Sequence, residues 1–156
     1  MVIEKIKGKD IKEISSLVKK EFPYVGANLK SIENRLKNPE VFVFVFREKN
    51  ELAGFIDFSL AQAIGGINGF SVKEKFRKKG IGQKLLDFAV EFLKENGAEK
   101  IHLLVKTENA VAKKIYKNAG FKFAKIHPKK IEGSMVEEME IGFKDGEEKN
   151  GKKAAS

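Results

Sequence analysis

The chain has no cysteine and no tryptophan, and among its 156 residues are only two histidines, three prolines and three arginines. Without cysteine there is no disulfide, no thiolate metal site and no cysteine nucleophile. His102 and His127 alone leave little for a histidine-based metal centre, so no metal is expected. No run of 18 or more apolar residues is present, and the opening "MVIEKIKGKD" mixes acids and bases where a signal peptide has its apolar region. The expectation is a cytoplasmic protein with no membrane partner. All but Arg35, Arg47 and Arg77 of the 31 cations are lysine, in a chain of net charge +9. Lysine excess favours a general attraction for polyanions over the fork-like reading of bases in which arginine predominates, so no specific nucleic-acid partner is expected.

What is present suffices for one ordinary core. With 42% hydrophobic residues, the composition predicts a single domain over residues 1–144, followed by the polar tail "DGEEKNGKKAAS" at 145–156. "MVIEKIKG" reads as a first strand, and Asp10 is placed to cap a helix over residues 10–20, with Ile11, Ile14, Leu17 and Val18 at helical spacing. Pro23 and Gly26 break the chain, and a short second helix starts at Ser31 and ends near Asn38-Pro39. "EVFVFVFREKNELAGFIDFSL" predicts a hairpin about the turn "EKNE". Its "VFVFVF" at 41–46 reads as a buried strand rather than as a stacking platform for bases. "AQAIGG" reads as a loop, and "INGFSV" as a fourth strand in which Gly69 marks a bulge or a close approach to the backbone. An amphipathic helix follows between Gly80 and Asn96, then the strand "KIHLLV". A helix capped by Asn109 and closed by Gly120 comes next, then the strands "FKFAKI" and "MVEEMEIGF".

The chemistry concentrates where the fourth strand meets the third helix. "RKKGIGQ", residues 77–83, sets two glycines among cations at a helix start, where N–H groups lack partners and the helix dipole is positive. Such a start suits phosphate, although a lone G-x-G reads rather as the end of a turn with solvated lysines, and no Walker or dinucleotide fingerprint is present. A second segment lies downstream, "N109-AVAKKI-Y116-KNAGF". Together the two resemble the R/Q-x-x-G-x-G/A and N-x6-Y-x3-GF motifs of the GNAT superfamily of acetyl-coenzyme A-dependent N-acetyltransferases. The resemblance is specific over residues 67–124 and is supported by the order of elements along the domain.

The resemblance implies a mixed α/β fold: a central, mostly antiparallel seven-stranded sheet flanked by about four helices. It implies acetyl-CoA as cosubstrate and an amine acceptor, small molecule or protein, with the chain a monomer or homodimer. In its terms the backbone of Phe70, Ser71 and Val72 pairs with the pantetheine arm. Arg77, Lys78, Lys79, Gly80, Ile81, Gly82 and Gln83 form the loop that grips the pyrophosphate. Asn109 contacts the cofactor arm, and Tyr116 points its hydroxyl at the thioester sulfur as the catalytic acid. A phenol of reference pKa about 10 is able to protonate a leaving thiolate of pKa about 8.5. From periodicity alone Tyr116 reads as a packing residue on the apolar face of its helix, with Ala112 and Ala119.

The base is the gap. Ribosomal-protein N-terminal acetyltransferases of the superfamily often carry a glutamate on strand five where this chain has Leu104, and "INGFSV" holds no carboxylate. Asp57, His102 or a chain of waters remain as candidates. The acceptor pocket falls by analogy on residues 22–40 and 126–134, whose side chains name no substrate. An acyl-CoA sensor with little transferase activity and a basic nucleic-acid-associated protein stand as the alternatives.

Overall fold

The structure, a computed structural model, describes residues 2–22 and 29–143, apart from the Leu29 side chain. The expected break at Pro23 and Gly26 and the expected tail at 145–156 lie outside the described residues. The elements are β1 (Val2–Lys5), α1 (Ile11–Glu21), α2 (Leu29–Leu36), β2 (Val41–Glu48), β3 (Glu51–Ala61), β4 (Ile64–Val72), α3 (Ile81–Glu95), β5 (Lys100–Lys106), α4 (Ala110–Asn118), β6 (Lys122–Ile126) and β7 (Val136–Gly142). The strands form one seven-stranded sheet in the order β1-β2-β3-β4-β5-β7-β6. β4 and β5 run parallel, while β1–β2, β2–β3, β5–β7 and β6–β7 are antiparallel. This is the mixed, mostly antiparallel sheet with four α-helices that the resemblance implied. The contacts divide the chain into two compact units.

The first unit comprises the chain up to Ser59 with Asn68–Phe88. Period-two alternation in β2 gives each face a core. Val43 and Val45 pack with Ile14 of α1, Ile32 of α2, and Leu52 and Phe55 of β3. Phe42 and Phe44 stack on Phe58 with centroids 5.6 and 5.9 Å apart, and Phe44 also meets Phe88 at 4.7 Å. The β2–β3 hairpin turns at Lys49 and Asn50, both with positive φ (52° and 66°), the geometry that matches the twist of the flanking strands.

Asp10 departs from its expected role. It sits at the start of α1, but its carboxylate makes no cap bond to that helix. It accepts instead from the Lys7 backbone N–H at 2.9 Å and from Arg47 Nη2 at 2.6 Å. Arg47 donates to Glu4 as well. Asp10 is 3% exposed, so the guanidinium outcompetes the helix N-terminus for a buried carboxylate.

The second unit comprises Leu60–Ile67 with the chain from Ala89. The stretch "AQAIGG" is not a loop. Gln62 and Ala63 make a two-residue turn with φ of 50° and 70°, and β4 begins at Ile64. Gly65 is buried there because a Cβ would lie 3.1 Å from Leu93 and 3.2 Å from Ile101. Its small size serves packing within a strand. In β5, Ile101, Leu103 and Val105 are buried while Lys100, His102 and Leu104 face outward. Val136 and Met139 of β7 join the buried residues, as do Tyr116 and Phe121.

Candidate active site

Two segments carry the predicted site residues, one in each unit. In the first unit, β4 ends at Val72, a 3-10 turn spans Glu74–Phe76, and the loop leads into α3. Lys78 and Gly80 both take left-handed backbone angles, φ 65° and 79°. Alternating such residues turns successive N–H groups to one side, which makes a concavity for an anion. A Cβ on Gly80 would meet nothing within 4 Å, so glycine is required there by its φ and not by crowding. Lys78, Lys79 and Gly80 are exposed, and the first turn of α3 carries no acid. Ile81 is buried and roots the helix start in the core, and Gln83 donates to Asp87 at 3.1 Å.

Arg77 is committed to the protein itself. Its Nε donates to the Val72 carbonyl at 2.8 Å and its Nη2 to Glu21 at 3.1 Å, which braces the loop against the end of β4. Lys73 pairs with Glu13, and burial together with the nearby Lys75 holds its ammonium below the usual lysine pKa. Ser71 is buried, and a Cβ on Gly54 would come within 2.6 Å of its carbonyl oxygen. The ladder between β4 and β5 ends at Ile67–Leu103, whereas Phe70, Ser71 and Val72 continue the strand beyond it.

In the second unit, Asn109 caps α4 as its residue type predicts, Oδ1 accepting from the Ala112 N–H at 3.1 Å. Gly120 closes the helix at φ 104°. Tyr116 is 7% exposed and packs edge-on to Phe121 with centroids 6.0 Å apart. Three features here lay outside the sequence reading. Lys113 donates to Glu137 of β7 at 2.8 Å and to the Thr107 carbonyl at 3.3 Å, and so ties α4 to β7 and to the turn that follows β5. The Thr107 hydroxyl, two residues before Asn109, is buried without a hydrogen-bond partner among the described residues. His127 Nδ1 lies 2.7 Å from Glu138 Oε2. No sequence signal joins residues that far apart, because only the β6–β7 register brings them together.

The two proposed bases differ in circumstance. Asp57 accepts from Arg35 Nε and Nη2 at 2.9 and 2.6 Å and from Asn68 at 2.9 Å, so its oxygens are engaged. His102 stands on the outward face of β5 opposite Glu140. Among the described residues no group of three or more His, Asp or Glu is placed to hold a metal ion, and no helix is long and apolar enough to cross a membrane.

An N-alpha-acetyltransferase of Sulfurisphaera tokodaii is 32% identical over 104 residues, covering 58% of this chain and 62% of that protein. The chain spans only 32% to 62% of the length of the curated relatives matched first. The crystal structure of the ribosomal-protein-S18-alanine N-acetyltransferase from Escherichia coli superimposes with a TM-score of 0.79 at 18% identity, covering 90% of this chain and 92% of that one. Arabidopsis thaliana NAA60 in complex with acetyl-CoA gives 0.78 at 16% identity, covering 91% and 98%. The match to the family described as "Acetyltransferase (GNAT) family" runs over residues 11–121, from the first helix through the loop at Gly80 to the end of the Asn109–Phe121 segment, and the chain belongs to that family.

Proposed function

We propose that the protein transfers the acetyl group of acetyl-CoA directly to a primary amine. The observation that carries this reading is the loop opening α3, where Lys78 and Gly80 take left-handed angles among cations within the family match. An exposed concavity of N–H groups with no acid in the following turn suits a pyrophosphate. The orphaned Thr107 hydroxyl is a second polar atom suited to a ligand group or to a water that a ligand holds. Bound acetyl-CoA supplies an activated acyl carbon and a thiol leaving group.

The chain's own residues do the rest. The backbone of Phe70, Ser71 and Val72 aligns the pantetheine arm, and an N–H near Val72 polarises the acyl carbonyl. The loop from Lys78 to Gln83 holds the phosphates while Arg77 keeps it in place. Asn109 fixes the start of α4 and lies beside the arm, and the Tyr116 hydroxyl gives its proton to sulfur. The acceptors to test first are α-amino groups, because relatives bear the names N-alpha-acetyltransferase and ribosomal-protein-alanine N-acetyltransferase.

Calorimetric titration with acetyl-CoA tests the loop: the parent binds, and Gly80→Asp with Gly82→Asp, shown folded by circular dichroism, does not. Tyr116→Phe is expected to lower kcat on the order of 10²-fold with unchanged acetyl-CoA affinity; unchanged turnover across pH removes Tyr116 from the reaction. One observation favours a second reading, an acyl-CoA sensor. Position 104 holds an exposed leucine, and Asp57 is neutralised by Arg35. Firm acetyl-CoA binding with no acetylation of any amine in a broad screen would establish the sensor.

A further inference from the structure

An amine acceptor arrives at neutral pH as an ammonium and must lose a proton before it attacks. Asp57 is held by a bidentate guanidinium and an amide, so the base must be sought elsewhere. The outward face of the β5–β7–β6 sheet offers one. Glu137 pairs with Lys113 and so faces α4, and alternation turns Glu138 to the opposite face. There Glu138 stands directly across from the exposed Leu104 in the β5–β7 ladder, and from Lys125 on its other side. His127, the first residue beyond β6, is anchored by its N–H to the Val136 carbonyl at 2.7 Å and reaches Glu138 with Nδ1.

We propose that His127, oriented by Glu138, is the general base that takes the proton from the acceptor amine at Nε2. An ionised carboxylate only accepts hydrogen bonds, so Nδ1 carries the proton and the lone pair of the neutral ring lies on Nε2, away from Glu138. The hydrogen bond from His127 holds the Glu138 carboxyl below the usual carboxylate range, with Lys125 and His102 adding to the effect. Lys122 and Glu140 are the other charged groups on this face of β6 and β7. About a quarter of each partner's side chain is exposed, enough for an acceptor to reach the ring. Glu138 thus puts a carboxylate across the ladder from position 104, with an imidazole as its working end.

In the step, the acceptor ammonium gives one proton to His127 Nε2, and its nitrogen lone pair forms the N–C bond as the C–S bond breaks. Sulfur takes the Tyr116 proton, the second proton shed by nitrogen restores Tyr116 through water, and His127 releases its own to solvent.

The inference rests on the transferase reading, and its test separates the two. Long-range proton–nitrogen spectra of the labelled full chain, assigned with His127→Gln, are expected to show Nδ1 protonated and Nε2 bare once the ring is neutral. The opposite tautomer overturns the proposal without touching the transferase. Acetylation is then measured with two probes, a mixture of tripeptides differing in the first residue, and hydroxylamine, which is neutral at pH 7. His127→Gln is expected to lose on the order of 10²-fold in kcat with the peptides, to lose the acid limb of the pH–rate profile, and to keep its acetyl-CoA affinity and nearly all its rate with hydroxylamine. Equal losses on both probes, or none, overturn the base. A parent that binds acetyl-CoA and acetylates neither probe overturns the transferase reading, and the base with it.

Discussion

Arg47 joins two carboxylates, Glu4 and Asp10, with 11% of its side chain exposed, whereas Glu138 holds a single imidazole and both partners remain open to water. The chemistry of the two clusters is alike: a cation or potential cation, hydrogen-bonded to acids across a strand pair. The surroundings divide them. Around Arg47, a bidentate donor with no accessible neutral form neutralises a buried acid, and both carboxylates raise its pKa further, Asp10 more than Glu4. A partner that never gives up its proton is suited to stability. Around Glu138 the partner is able to titrate, and the low burial leaves room for exchange with a substrate.

The largest expected effect lies in the first cluster. Arg47→Ala strands Asp10 without its partner in the interior, and urea unfolding should show a loss of about 3–5 kcal/mol. An effect below about 1 kcal/mol would mean that Asp10 is better solvated than its exposure indicates, and the contrast with Glu138 would collapse. Asn109→Ala comes next. Removing the one side-chain cap on α4 should cost about 1 kcal/mol by the same measurement.

Acid titration compares the clusters directly. The Glu4 carboxyl is held below its ordinary value of 4.5 by the Arg47 hydrogen bond, and Glu138 below the same value by that of His127. Both pKa values are lowered in the folded state, so each group contributes stability that is present above 4.5 and is lost as pH falls through the folded value. Arg47→Met should flatten that acid-side loss more than His127→Gln does, as read from unfolding midpoints between pH 6 and about 3. The smallest expected effect is that of Glu138→Gln on stability, with a thermal midpoint only slightly below the parent's, because the pair is largely exposed. A loss as large as that of Arg47→Ala would make the dyad part of the framework.

Much of this architecture was legible from periodicity and punctuation. The alternation of "VFVFVF", the cap at Asn109 and the stop at Gly120 each gave the right element, because each is decided by its immediate neighbours. The failures came where distant partners decide. "AQAIGG" is rich in residues that disfavour strands, yet Gly65 lies against Leu93 and Ile101, and the turn uses Gln62 and Ala63, neither of them a habitual turn residue. Asp10 has the identity of a cap, but Arg47, 37 residues later, claims it. The turn into α3 could be read because its glycines and cations are contiguous. The pair of His127 and Glu138 could not, since 11 residues and a strand register separate them.

That register turns on one irregularity. β6 pairs Phe123 with Met139 and Lys125 with Glu138, so Ala124 is an extra residue set between two consecutive positions of β7. It reconciles "FAKI", whose two large apolar residues lie three apart, with a strand whose faces alternate. Phe123 and Ile126 share the side of Met139 and Glu137, and Lys125 is left beside Glu138. Length is therefore a coordinate here. Deleting Ala124 should straighten the strand and leave Lys125 opposite Glu138. Deleting Lys125 instead should close the same bulge with Ala124 opposite Glu138, keep Ile126 opposite Glu137 and His127 at its carboxylate, and remove only the lysine beside Glu138. Two neighbouring one-residue deletions would thus share one register and differ in a single charge, and insertions or losses in this strand are better compared by the position of the bulge than by their number.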